Sequence, residues 1–189
     1  MSNDNTLVRS LHDLGLSAWF GGSLMGAVGV NGAADDVHDP TERLRVASSG
    51  WARWAPVNAA AIGVHLIGAV GMLSANRERV RREPGVGTSS AVKTALTVAS
   101  LGATAYSGWL GSRTAKGVGA PAAGGVTPSS GTPDDVADAQ RQLRVVQWVL
   151  PLLTGALVVV SALQGEQQRP RVRAGALARS IQDRVAAAV

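Results

Sequence analysis

The sequence of 189 residues contains no cysteine, and this absence excludes several kinds of chemistry. Without a thiol the chain has no disulfide, no iron–sulfur cluster, no thiolate-bound metal and no cysteine nucleophile. Charge is also scarce, because charged residues make up 16% of the chain whereas soluble domains average about 25%. The scarcity of charge indicates that much of the chain is not in contact with water.

Four long stretches of the chain contain no charged residue. Uncharged stretches of 21, 23, 19 and 21 residues lie at 14–34, 54–76, 94–112 and 145–165. A helix needs about 20 apolar residues to cross the hydrocarbon core of a bilayer. We therefore predict an all-α fold, a four-transmembrane-helix bundle within residues 1–169 with short amphipathic surface helices. The expected spans are about 11–33, 54–76, 92–112 and 143–165.

Two alternatives compete with this interpretation. A soluble helical bundle has helices with a charged face, which the four stretches lack. A cleaved signal peptide would use the small residues of "VNGAADD". Its basic start would consist of Arg9 alone, balanced by Asp4 and Asp13, which matches the usual pattern poorly. The four-span interpretation explains the sequence better than either.

The connections carry turn and capping signals. Residues 112–133 are rich in Gly and Pro and predict a loop on the outer side. The "DPTE" stretch at 39–42 has a capping residue followed by proline, which predicts a short surface helix in the first outer loop. The "TPDD" stretch at 132–135 repeats the pattern. It predicts a helix that begins outside the membrane and continues into the fourth span.

The basic residues predict an orientation. Arg9, five basic residues at 77–93 and five arginines at 169–184 fall on the side of the termini, giving 11 of the 18 Lys and Arg. The positive-inside rule then places both termini in the cytoplasm of a multi-pass plasma-membrane protein. Trp51, Trp54, Trp109 and Trp148 fall at the outer ends of the spans, as an interfacial aromatic belt requires.

Small and polar residues recur along one face of each span. In lipid, helices associate through close approach and through hydrogen bonds between small polar residues. The Gly21–Gly22 pair is expected to let a neighbouring backbone come close. The predicted helix-packing positions are Gly22, Gly26, Thr97, Ser100, Thr104, Ser107, Gln147, Thr154 and Ser161.

Basic segments flank the predicted spans on the cytoplasmic side. Residues 170–189 place Leu177, Ile181 and Val185 on one stripe among arginines, typical of an amphipathic helix on anionic headgroups. A solvated tail is the alternative. Arginines beside a span meet lipid phosphates more simply than nucleic acid, so we predict a lipid bilayer and no nucleic acid as partner. The candidate headgroup contacts are Arg79, Arg81, Arg82, Arg171 and Arg173.

One ionisable side chain lies well inside an uncharged stretch. His65 shares a helix face with Asn58, and a polar residue at membrane depth is a functional candidate, although it also suits a neutral bundle core. His12 is the second histidine considered as a haem ligand. His65 would lie roughly 15 Å from the inner end of its span, whereas His12 lies near that end, so the depths mismatch. The cofactor-binding candidates are His65, Asn58 and His12.

No catalytic motif accompanies these residues. The acidic "DDVHD" at 35–39 offers metal-ligand types in Asp35, Asp36, His38 and Asp39, but such loops are usually solvated, and we predict no metal site. No H-E-x-x-H motif, phosphate loop or nucleophile–base pair is present. The sequence therefore predicts no catalytic residues.

Three segments carry a family resemblance. They are "WFGGSLMGAVGVNGAA" at 19–34, "WARWAPVNAAAIGVHLIGAVG" at 51–71 and "GEQQRP" at 165–170. The chain resembles uncharacterised small multi-pass, four-helix integral membrane proteins of high-GC actinobacteria. The resemblance implies a membrane location and brings no reaction with it.

The sequence thus favours a non-enzymatic accessory or scaffold subunit of a membrane complex, with a membrane-protein partner or a second copy of itself. The alternative is a small redox (haem-binding) or solute-handling membrane protein that uses His65 and Asn58.

Overall fold

A computed structural model of the chain describes residues 3–75 and 84–186, with side chains at 6–75 and 88–164. Within these residues the fold is all-α, as predicted, and the isolated bridge between Ala122 and Pro128 is the one β-type pairing. The helices are α1 (Asn3–Met25), α2 (Asn31–Asp35), α3 (Arg43–Ala75), α4 (Pro84–Thr114) and α5 (Asp134–Ala186). A π-helical turn at Gly26–Val30 joins α1 to α2, and a 3-10 turn at Ala115–Gly117 follows α4.

The helix starts differ in how well the sequence predicts them. The sequence predicts a short surface helix that starts at 39–42 and is separate from the second span, and this separation is wrong, because the helix starts at Arg43 and runs unbroken to Ala75 as α3. Asp39 instead forms the turn before α3, where its Oδ1 accepts hydrogen bonds from the backbone N (2.9 Å) and hydroxyl (2.7 Å) of Thr41. The helix predicted at 132–135 is confirmed, since α5 begins at Asp134 and continues without a break.

The four long helices do not pack evenly around the bundle. Helix α1 packs along α3 and also against α5, and α4 packs along α5. By contrast, α3 and α4 scarcely touch each other. The bundle is therefore open on the side between α3 and α4.

The distribution of apolar residues is unusual for a protein in water. The helices Arg43–Ala75 and Asp134–Gln164 are long and apolar enough to cross a membrane, yet only 11% and 22% of their most apolar windows are buried. Large apolar side chains such as Leu14, Ile67 and Leu152 are exposed. Among the largest fully buried side chains are the polar ones of His12, His65 and Thr154. The interior thus contains several polar side chains, while many large apolar side chains are exposed.

Residues 118–133 form an ordered cap over the end of the bundle. Arg43, at the start of α3, holds this cap through its guanidinium group. Its Nε donates to the carbonyl oxygen of Val37 (2.8 Å) and its Nη1 donates to that of Ala123 (2.9 Å). One side chain therefore joins the first outer loop to the second.

Two further contacts fix the cap from neighbouring helices. Asp35 accepts a hydrogen bond from the backbone N of Gly125 through Oδ1 (3.0 Å), and buried Gln140 donates from Nε2 to the carbonyl oxygen of Gly124 (2.9 Å). The acidic loop at 35–39 therefore contributes to the structure of the cap. Across the residues that the structure describes, no group of three or more His, Asp or Glu side chains is placed to hold a metal ion.

Candidate binding cavity and histidine pair

Helices α1 and α3 touch backbone to backbone in one half of the bundle. A Cβ added at Gly15 would lie 2.5 Å from the backbone N of His65 and from the carbonyl oxygen of Ala61. A Cβ added at Gly68 would lie 2.6 Å from the carbonyl oxygen of Val8. We call this the inner half, because it lies towards the predicted cytoplasmic ends of the helices. Neither glycine is among the helix-packing positions predicted from the sequence, although Gly15 lies seven residues before Gly22 on the same helix face.

Two histidines are enclosed at this contact. His12 and His65 are 1% and 0% exposed, and their ring centroids lie 4.4 Å apart. Nδ1 of His65 donates to the carbonyl oxygen of His12 (3.2 Å), and Nδ1 of His12 donates to Oδ1 of Asp13 (2.8 Å). Nε2 of His65 is buried without a hydrogen-bond partner among the described residues. The pair is therefore built into the packing of α1 on α3.

This geometry corrects the expected mismatch in depth between the histidines. His12 lies beside His65 and is buried rather than near the end of its helix, because α1 begins at Asn3 rather than near residue 11. A haem with two axial histidines needs its macrocycle between the two imidazoles. Here the imidazoles already contact each other, and Gly15 and Gly68 bring the two backbones together beside them. The residues present do not fit a haem held between α1 and α3.

Trp19 separates the histidine pair from the rest of the bundle. Its indole is fully buried, meets the ring of His65 edge-on with a centroid distance of 5.9 Å, and donates from Nε1 to the hydroxyl of Thr104 (3.2 Å). The same side chain lines a cavity on its other side. His65 does not line that cavity, so His65 and Asn58, which share a face of α3, face different surroundings.

The cavity lies in the outer half of the bundle and has a volume of about 460 Å³. Side chains of α1, α3, α4 and α5 line it, and the cap covers it. The indoles of Trp19, Trp51 and Trp54 are the largest groups in the lining, and the amides and hydroxyls of Asn58 and Ser107 are among the polar ones. The arrangement combines apolar surface with a few hydrogen-bonding groups, as ligand pockets usually do.

Two glycines of α1 make space for the indoles. A Cβ at Gly22 would overlap the ring of Trp54, and a Cβ at Gly26 would overlap the ring of Trp51. Gly22 was expected to admit a neighbouring backbone, but it and Gly26 instead make room for aromatic rings of α3. Gly21 of the same pair has nothing within 4 Å of its Cβ position.

Polar atoms next to the cavity are only partly satisfied. Asn31 accepts from Nε1 of Trp51 (3.0 Å) and donates to Oε1 of Gln147 (2.7 Å). Oδ1 of Asn58 and Oγ of Ser107 are buried and have no hydrogen-bond partner within the part of the chain that the structure describes. A buried polar group without a partner costs about 1–3 kcal/mol. A bound molecule that supplied the missing partners would remove this cost.

Several predicted helix-packing hydroxyls bond within their own helix. Thr97, Ser100, Thr104 and Thr154 each donate to the carbonyl oxygen four residues earlier. The predicted positions that bond across helices are Thr104, through Trp19, and Gln147, through Asn31. Oγ of Ser161 is buried and has no hydrogen-bond partner among the residues with described side chains.

The predicted headgroup contacts cannot be placed in the same way. Arg79, Arg81 and Arg82 lie outside the described residues, and Arg171 and Arg173 belong to the part of α5 whose side chains are not described. The membrane-surface role of these arginines stays a prediction.

Comparison of the chain with protein-family models, with curated proteins and with solved structures finds no match. The resemblance to actinobacterial four-helix proteins therefore stays a prediction. The function is argued from the geometry of the cavity and of the helices around it.

Proposed function

We propose that the chain is a non-enzymatic, multi-pass plasma-membrane protein with four spans and cytoplasmic termini, which binds a small molecule in its outer-half cavity. The observation that carries the proposal is the cavity of about 460 Å³ beside the unpartnered Oδ1 of Asn58 and Oγ of Ser107. It favours the solute-handling alternative over a haem-binding one.

The membrane part of the proposal rests on the exposure of large apolar surfaces on the long helices. A core helix of a soluble protein buries its apolar surface, whereas α3 and α5 leave theirs largely exposed. Exposed side chains such as Leu14, Ile67 and Leu152 would otherwise face water. A lipid bilayer is the simplest partner for such a surface.

The ligand-binding part rests on size and chemistry. Pockets for small molecules measure about 300–1,000 Å³ and combine apolar walls with few polar groups. The cavity lies within this range and its polar groups include Asn58 and Ser107. His65 stays on the other side of Trp19, so its role is to pack α1 against α3.

A pair of glycine substitutions on α4 tests ligand binding. Gly111 lines the cavity, Gly102 does not, and neither has anything within 4 Å of its Cβ position. We expect Gly111→Leu to fill part of the cavity without a clash. The protein should be purified in mild detergent, and its small molecules extracted and measured by mass spectrometry. A molecule bound to the wild type should be lost from Gly111→Leu and kept by Gly102→Leu.

Two outcomes of this experiment would contradict ligand binding in the cavity. Equal amounts of bound molecule in wild type, Gly111→Leu and Gly102→Leu would show that the cavity is not the binding site. A wild type that carries no molecule under gentle extraction would also count against the proposal.

The four-span topology is tested separately. A reporter that works only in the cytoplasm should be active when it is fused at position 85. A reporter that works only outside the cytoplasm should be active when it is fused at position 125. A reporter at 85 that is active outside the cytoplasm would contradict the orientation. Recovery of the chain in the supernatant after high-speed centrifugation of broken cells, without detergent, would contradict membrane insertion.

An accessory or scaffold role is compatible with ligand binding. Gly63 of α3 and Gly102 of α4 have open space around their Cβ positions, so another helix could approach closely there. Purification in mild detergent should then yield a complex with a membrane protein or a homo-oligomer. A protein that is always alone and monomeric would contradict this role.

A further inference from the structure

We infer that the ligand is a neutral, ring-bearing alcohol or phenol that dissolves in the bilayer and enters the cavity sideways, between α3 and α4. The inference rests on the proposed function, because it names the ligand class and the entrance of the same cavity. It follows from the closed outer end of the cavity, its open side and the chemistry of its lining.

The cap closes the cavity towards the outer aqueous phase. Gly125 and Val126 are buried and form part of the lining. Asp35 holds the backbone of Gly125, and Arg144 donates from Nε to the carbonyl oxygen of Val126 (3.3 Å). A molecule arriving from water would have to break this network.

The side between α3 and α4 is open instead. The residues that both line the cavity and are exposed are small, and they lie on these two helices and in the turn after α4. They are Ala52, Ala55 and Ala59 on α3, Gly108 and Ser112 on α4, and Ala115 in the 3-10 turn. Because none of these exposed residues is large, the gap leads from the lipid-facing surface to the indoles.

The lining selects against charge. No Asp, Glu, Lys, Arg or His is among the described residues that line the cavity. An ionised ligand would therefore lose its hydration without gaining a counter-charge, which strongly disfavours its burial. This excludes a phospholipid headgroup as the buried part and favours an uncharged molecule.

The polar groups specify the remaining chemistry. The indole N–H groups of Trp19 and Trp51 already bond to Thr104 and Asn31, so these two indoles offer apolar ring surface. Flat or alicyclic rings pack well on indole faces. Oδ1 of Asn58 has no donor among the described residues and is not itself open to the cavity. The Asn58 side chain lines the cavity, so a rotation of its amide would present Oδ1 to a ligand hydroxyl, which would supply the donor.

Three matched probes test the ligand class. They are 4-(4-bromophenyl)butan-1-ol, the corresponding butanoic acid, which is ionised at neutral pH, and 1-bromo-4-butylbenzene, which lacks the hydroxyl. Bromine quenches tryptophan fluorescence, and a Trp109→Phe, Trp148→Phe background leaves the three cavity indoles as reporters. After correction for partitioning into lipid vesicles, the alcohol should bind about tenfold more tightly than the hydrocarbon and at least about a hundredfold more tightly than the ionised acid.

The Asn58→Leu variant tests the role of the amide. It should weaken binding of the alcohol about tenfold and leave the hydrocarbon unchanged, because only the alcohol supplies a donor. Unchanged hydrocarbon binding also shows that the variant is folded. Equal affinity of the three probes, or tightest binding of the acid, would overturn the ligand class.

The absence of native cysteine allows the entrance to be tested. Single cysteines at Ala55, Ala60 and Ala123 can be labelled with N-benzylmaleimide in detergent, and the extent of labelling measured by mass. Ala55 and Ala60 are both exposed on α3, but only Ala55 lines the cavity, and Ala123 is exposed on the cap. Labelling Ala55→Cys should slow entry of the alcohol at least tenfold, whereas labelling at 60 or 123 should not.

The outcomes separate this inference from the proposed function. Slower entry after labelling at 123, or equal entry in all three labelled proteins, would overturn the sideways route. Loss of a co-purified molecule in Gly111→Leu, together with failure of the alcohol to bind, would overturn the ligand class and leave the cavity as a binding site. Assembly of a second copy into the α3–α4 gap, seen as a dimer that excludes the alcohol, would overturn the inference as well.

Discussion

The two halves of the bundle hold α1 and α3 together in different ways. In the inner half, Gly15 and Gly68 bring the two backbones into contact around the histidine pair. In the outer half, the indoles of Trp51 and Trp54 rest on Gly26 and Gly22. The inner half has no room between these helices, and the outer half has a cavity beside them. Glycine thus serves close packing in one half and aromatic spacing in the other.

From this difference we expect the inner half to contribute more to stability, and the outer half to provide the space for the proposed binding. Close packing of two backbones fixes the distance between helices, since neither side can move away without moving the whole helix. An indole can rotate or shift within its surroundings. Substitutions that add atoms should therefore lower the free energy of unfolding more in the inner half than in the outer half.

The largest effect is expected for Gly68→Ala. The added methyl would meet backbone atoms of α1, including the carbonyl oxygen of Val8 at 2.6 Å, so we expect a loss of about 3 kcal/mol, at the upper end for overpacking. The matched control is Gly63→Ala on the same helix, whose Cβ position is open; it should be neutral or stabilising by about 0.5–1 kcal/mol. The measurement is helix content by circular dichroism during unfolding in detergent. Equal stability of the two variants would contradict the backbone contact.

Sequence patterns could predict the helices better than the contacts between them. The uncharged stretches and the "TPDD" start follow from local chemistry, and each uncharged stretch falls largely within a helical segment that extends beyond it. The depth of His12 could not be read in this way, because it depends on how far α1 extends towards Asn3 and on its register against α3. The role of Gly68 likewise depends on which helix faces it.

The cap was the least predictable part of the candidate site. A Gly- and Pro-rich stretch predicts a loop, but its order depends on Arg43, a residue distant in sequence. Asn58 was found by its polarity at membrane depth. Ser107 also lines the cavity, but the sequence predicted it as a helix-packing residue. A serine on a helix face gives the same sequence pattern whether it packs against another helix or lines a cavity.

The second prediction tests how far the cap depends on Arg43. Arg43→Gln removes the guanidinium that joins the two outer loops, and hydrogen bonds to charged groups contribute about 2 kcal/mol. Opening of the cap should then be more frequent, and a non-specific protease should cleave within 118–133 at least tenfold faster. Arg45→Gln is the control, since Arg45 is exposed and pairs only locally with Glu42. Identical cleavage of both variants would show that Arg43 does not secure the cap.

A smaller effect is expected where glycine faces an indole. Gly22→Ala should cost about 1 kcal/mol, because the ring of Trp54 can shift, whereas Gly21→Ala should be nearly neutral. Unfolding in detergent measures both. Trp54→Leu should remove the penalty of Gly22→Ala in a double-mutant cycle. Additive effects in that cycle would contradict direct contact between the ring and Gly22.

The smallest effect concerns the polar turn before α3 and is a dependence on pH. The hydrogen bonds from Thr41 hold the pKa of Asp39 below its usual value of 3.8. The carboxylate therefore contributes stability above the pKa of the unfolded chain, and this contribution is lost as the pH falls through the lower pKa of the folded state. Asp39→Asn does not titrate, so the Tm advantage of the wild type over this variant should be largest near pH 6 and narrow as the pH is lowered towards 3. The comparison can be repeated with Thr41→Val, which removes the hydroxyl donor, added to both the wild type and Asp39→Asn. The Tm difference between these two proteins should then change less with pH. A Tm difference between wild type and Asp39→Asn that is constant with pH would show that the turn does not depend on the ionised carboxylate.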